Sequence, residues 1–121
     1  MRRITGHDGE VYKVTAVDPR TIVSVSDDRT IRVWDVGTGD ELRRITMAHV
    51  PYNLAVLDTE HVVTATSDNT LRLWKLSTGR ELARIEGDAG FGFVTVLPDR
   101  RTIAARDGIA RLHFFDLYLP N

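Results

Sequence analysis

Ser24, His7 and Asp28 are the residue types that together can activate a hydroxyl nucleophile. In such a set an imidazole takes the hydroxyl proton and a carboxylate orients the imidazole. The surrounding sequence argues against that use. Ser24 falls inside Thr21–Ser26, a Val- and Ile-rich run that reads as a strand, without the strained strand-to-helix elbow that presents a hydrolase serine. The acidic pairs Asp27-Asp28 and Asp40-Glu41 read as turn chemistry or sheet edge. His7, His49, His61 and His113 are scattered without the spacing of metal ligands. Gly87-Asp88-Ala89-Gly90 lacks the lysine and the helix that make a phosphate loop. No catalytic residue, metal ligand or cofactor is expected, and the chain reads as a non-enzyme.

What these residues do have is an echo. Ser26-Asp27-Asp28-Arg29-Thr30-Ile31-Arg32-Val33-Trp34-Asp35 returns as Thr66-Ser67-Asp68-Asn69-Thr70-Leu71-Arg72-Leu73-Trp74-Lys75, 40 residues later. The turn Thr38-Gly39-Asp40-Glu41-Leu42 returns at the same spacing as Thr78-Gly79-Arg80-Glu81-Leu82. A fixed period of this size marks stacked units that cannot bury their apolar faces alone. Short runs rich in Val, Ile, Thr and Leu are cut by turn residues every eight to twelve positions, which predicts an all-β chain. Strands are expected at Val11–Val17, Thr21–Ser26, Thr30–Val36 and Glu41–Thr46 in the first unit. The second gives Tyr52–Leu57, His61–Thr66, Thr70–Leu76 and Glu81–Ile85. A third gives Phe91–Leu97, Thr102–Arg106 and Ala110–Asp116. Arg2–Thr5 matches Arg43-Arg44-Ile45-Thr46 and is expected to be an outermost strand set ahead of the first unit. Ile22-Val23-Ser24-Val25 and Val62-Val63-Thr64-Ala65 are apolar or small on both faces, as in a sheet covered on both sides. Arg32 and Arg72, beside the tryptophans, should reach the rim or enter ion pairs.

Composition bounds the rest. The chain has 121 residues, 42% apolar and 27% charged, enough for one core. Sixteen basic residues against seventeen acidic leave a formal charge of −1, without the electrostatic footprint of a nucleic-acid or anionic-lipid binder. The doublets Arg2-Arg3, Arg43-Arg44 and Arg100-Arg101 read as solvated edge residues. There is no cysteine, no signal-like apolar segment and no run that approaches a spanning helix. No nucleic-acid or membrane partner is expected, and the expected location is cytoplasmic.

Gly6-His7, the turn Asp28 and Trp34-Asp35, together with their repeats, resemble the WD40-repeat β-propeller family. The resemblance covers nearly the whole chain. It implies a propeller segment over 1–121, with an outer strand at 1–5 and blades at 6–46, 47–86 and 87–121, the last degenerate. It also implies a hydrogen-bonded structural tetrad: His7, Ser24, Asp28 and Trp34 in the first unit, and His49, Thr64, Asp68 and Trp74 in the second. There Ala48 replaces the glycine and the preceding loop is one residue shorter. In the third unit Gly87-Asp88-Ala89 replaces Gly-His, and Leu112–Asp116 replaces the strand ending in Trp-Asp. That unit is similar to the closing blade of bacterial WD40 arrays, which often sit at the carboxyl end of signalling ATPases; it implies, as an alternative, a sensor or regulatory propeller part of such a system.

One leading strand and sets of four, four and three amount to three blades. Typical propellers have about 4–8, and an open arc would leave apolar blade faces in water. Two copies would give six blades, three would give nine, or another polypeptide would supply the missing blades. Self-assembly is favoured because the strand count is a whole number of blades. The function implied is a protein-interaction scaffold that binds a protein or peptide through one face. Tyr12, Asp27, Arg29, Tyr52, Asn53, Phe91 and Arg106 are expected on that face; Tyr12, Tyr52 and Phe91 occupy comparable places in the three units, either as anchors for a partner or as packing between blades.

Overall fold

The computed structural model describes residues 6–109 and 111–116. It is all-β there, with eleven strands and no helix. Strands β1 (Val11–Asp18), β2 (Thr21–Ser26), β3 (Thr30–Asp35) and β4 (Glu41–Thr46) form one antiparallel sheet in the order β1-β2-β3-β4. Strands β5 (Pro51–Val56), β6 (His61–Thr66), β7 (Thr70–Lys75) and β8 (Arg80–Glu86) repeat it. Strands β9 (Phe91–Val96), β10 (Thr102–Asp107) and β11 (Leu112–Asp116) make a third sheet of three, with no fourth strand beside β11 among the described residues. These are partial propeller blades, and no barrel closes among the described residues. The expected strand at Arg2–Thr5 lies outside the described residues. The third-unit strand expected to begin at Ala110 begins at Leu112, after a turn in which the Asp107 carboxylate accepts from the Ile109 and Arg111 amides.

The turns explain why the units fold alike. Arg29 and Asn69 occupy the same turn position, both left-handed with φ 69° and 68°. Their amides return to the carbonyls of Ser26 and Thr66. Gly39 and Gly79, in the repeated Thr-Gly turn, also have positive φ, where a side chain is strained.

Packing between the sheets follows from two-sided strands. Val23, Val25, Ile31, Val33 and Ile45 of the first sheet meet Leu54, Val62, Trp74 and Leu76 of the second. Val63, Ala65, Leu71 and Leu73 on the other side of the second sheet meet Phe91, Val94, Ile103 and Ala105 of the third, with Phe115 packed alongside. The innermost strands β1, β5 and β9 lie side by side, so the blades follow one another in chain order. Every blade therefore has a tryptophan-type face and an opposite face, and each seam joins one of each kind.

Candidate functional site

The first blade assembles its polar cluster from the loop ahead of β1, from β2, and from the β2–β3 hairpin. The Trp34 indole N–H donates to Ser24 Oγ at 2.9 Å. Ser24 Oγ lies 2.6 Å from His7 Nε2, and His7 Nδ1 lies 2.8 Å from Asp28 Oδ2. The Asp28 carboxylate can only accept, so Nδ1 carries the imidazole N–H and donates to it, and Nε2 accepts the hydrogen bond of the Ser24 hydroxyl. Gly6 sets the approach of the loop: a Cβ there would stand 2.7 Å from Trp34 Cη2. Arg32, buried, donates to the Gly6 carbonyl at 2.6 Å and to Asp28 at 3.2 Å. It thus enters a pair instead of reaching the rim.

Burial acts to raise the Asp28 pKa, but hydrogen bonds from Thr30, His7 and the Asp8 amide outweigh it and hold the carboxyl well below the usual range. Connectivity from serine to histidine to aspartate is that of a nucleophilic triad. Its setting is not: Ser24 Oγ accepts the hydrogen bond of the Trp34 indole inside a buried strand, which fixes its position. The cluster works as a clasp between loop, strand and hairpin.

The second blade keeps half of the clasp. Trp74 donates to Thr64 Oγ1 at 2.9 Å, as expected of an indole buried beside a hydroxyl. His49 is the departure. It is exposed, 3.8 Å from Asp68, and the neighbour of Thr64 is the Thr66 hydroxyl at 3.3 Å. The loop, one residue shorter and with Ala48 in place of glycine, does not carry the imidazole to the strand. Asp68 is held instead by Thr70 and Arg72, and Arg72 also pairs with Glu81. Although burial opposes it, these bonds depress the Asp68 pKa.

The third blade replaces the clasp as a set. In the strand registers Ala105 takes the place of Ser24 and Thr64, and Phe115 the place of the two tryptophans. Hydroxyl and indole are lost together, so no orphan remains. Asp107, two positions earlier than the turn aspartates, is the acid here. It accepts from His113 Nε2 at 2.8 Å and from Arg111 Nε at 2.7 Å, and these bonds with the Arg111 and Ile109 amides push its pKa far down against the effect of burial. His113 stacks parallel on Phe115, and Phe91 stands edge-on to both. Motif reading missed Asp107. The available signal was the joint loss of Ser/Thr and Trp, beside a new His at the position of Arg32 and Arg72.

The residues expected on the binding face lie at one end of the blades, but they divide. Tyr12, Asp27, Arg29 and Arg106 are exposed, and the Tyr12 hydroxyl donates to Asp27 at 3.0 Å, which raises the phenol pKa. Tyr52 is half-buried and donates to the Phe91 carbonyl; Asn53 Nδ2 reaches the Gly92 carbonyl at 3.4 Å. Phe91 is buried, and it is not the counterpart of the tyrosines. Tyr12 and Tyr52 are the extra residues of bulges at the starts of β1 and β5. Gly92 fills that place in β9, which sets Phe91 level with Val11 and Pro51 and turns it into the seam.

With this geometry in view, the comparison with known families agrees for the amino-terminal part of the chain: the family described as WD domain, G-beta repeat, matches residues 1–35. Over that stretch the first blade is similar to a WD40 repeat. No curated protein matches the chain. WD40 repeats typically mediate protein–protein interaction and are generally non-catalytic modules.

Two outcomes follow from the clasp. Ser24→Ala should cost about 1–3 kcal/mol by orphaning a buried donor. Ser24→Ala with Trp34→Phe, which recreates the Ala105–Phe115 pair, should cost clearly less than the sum of the single changes in a denaturation cycle; additivity would contradict the coupling. The depressed carboxyls Asp28, Asp68 and Asp107 stabilise the fold above the unfolded carboxylate pKa of about 3.9, and that stability is lost as pH falls through this value towards their folded pKa values. The thermal midpoint should therefore fall from about pH 5 to pH 2, and less steeply in Asp28→Asn. A midpoint constant over that range would contradict it.

Proposed function

We propose that this chain is a non-catalytic interaction platform which binds a protein or peptide through the loop end that bears Tyr12, Asp27, Arg29 and Arg106. The observation that carries this reading is a division of labour among the polar side chains. Among the described residues no buried side-chain nitrogen or oxygen lacks a hydrogen-bond partner, so the clasp chemistry is consumed internally. The loop ahead of β1 and the β2–β3 turn instead hold exposed Asp8, Glu10, Asp27 and Arg29 around an exposed tyrosine. Both charge signs beside an aromatic ring suit a polar peptide, with Tyr12 as the anchor and Arg29 as a carboxylate or carbonyl partner. Tyr52 and Phe91 support this surface from within the seam.

Selection of a random-sequence displayed peptide library on the purified chain tests the reading. Enriched peptides should bind at least about tenfold more weakly to the Tyr12→Ala, Arg29→Ala double variant, roughly 1.4 kcal/mol, with the fold intact by circular dichroism. Peptides that bind both proteins equally, or a library that yields none, would contradict it.

A further inference from the structure

The two seams inside this chain show what a third one requires. Leu54 and Val94 occupy the same register position in β5 and β9, and each is buried against the preceding blade, 2% and 3% exposed. Val14 is their counterpart in β1, and it is 52% exposed. Ile31 and Leu71 are likewise buried against the following blade, 0% and 2% exposed. Their counterpart Leu112 is 68% exposed, and Phe114, the counterpart of Val33 and Leu73, is 63% exposed. The tryptophan-type face of the first blade and the opposite face of the third are thus the two halves of one more seam of the same kind. Gly6, His7, Val14, Ile22, Ser24 and Trp34 line a largely apolar hollow of about 310 Å³ on the first of these faces, large enough for the side chains that Leu112 and Phe114 hold out on the other.

We propose that the occupant of both faces is a second copy of this chain, docked head to tail so that the third blade of each seats on the first blade of the other. The contact is heterologous and occurs twice about a two-fold axis along the centre of the ring. Two copies make six blades, within the usual range of about 4–8. Continuity with the two existing seams is the reason to choose this occupant: one molecule presents both complementary halves, and a second copy covers both and leaves neither open. His7 and Ser24 then face the neighbour's third blade, so the clasp of the first blade becomes part of the joint. Neither Val14 nor Phe114 is among the residues of the exposed loop end that carry the peptide-binding reading, which makes assembly and peptide binding separately testable.

Sedimentation of the full chain with Val14→Glu and Phe114→Glu variants decides the matter. Wild type should sediment at twice the 13.6 kDa chain mass. Each variant should dissociate to a single chain at the same concentration, with its β spectrum retained, since both side chains are already exposed in one copy. A mixture of the two variants keeps one sound joint, between the third blade of Val14→Glu and the first of Phe114→Glu, and should regain part of the two-chain species. If either glutamate unfolds the chain, Val14→Thr and Phe114→Gln carry the same comparison. A monomeric wild type, a three-chain mass, an assembly indifferent to both substitutions, or a mixture that stays dissociated would overturn the proposal.

Discussion

A blade of this protein is apolar on both faces, and the hydrophobic cost of leaving either in water shapes everything else. An ordinary half-buried sheet alternates apolar and polar residues along each strand. Here β2, β3, β6 and β7 are all buried along most of their length. Such strands have no solvent side, so each unit depends on a neighbour. The forty-residue period is the sequence form of that dependence.

Two-sided burial creates a second problem, which the clasps solve. A large aromatic at the edge of each seam fills the space between blades, but an indole brings a polar N–H with it. Ser24 and Thr64 answer the tryptophans; Ala105 needs no hydroxyl because Phe115 has no N–H. The aspartates are similarly matched to their cations. A long arginine reaches a turn aspartate in the first two blades, whereas the shorter His113 meets Asp107 at the end of the strand itself. Each blade is internally consistent, although the residues differ.

Much of this was legible in the sequence. The strands lie within a residue or two of the expected bounds, because Trp34 and Trp74 and their turns fix the register of whole hairpins. The hidden parts depended on single-residue geometry. A bulge residue is indistinguishable from any other in a short Val-rich run, so the sequence pattern sets Phe91 level with Tyr12 and Tyr52, whereas the register makes Gly92 their counterpart. A loop one residue short was enough to leave His49 outside its expected clasp. Asp107 escaped because it holds the function of the turn aspartates from a different position.

The dependence of one blade on its neighbours is tested most directly by site-resolved amide hydrogen exchange. The middle blade is covered on both sides, so the amides of β6 and β7 and the Trp74 indole N–H should exchange only through global unfolding, far more slowly than those of the exposed strand β4. Exchange in β6 as fast as in β4 would mean that the blade faces are not held together, and the account would fail.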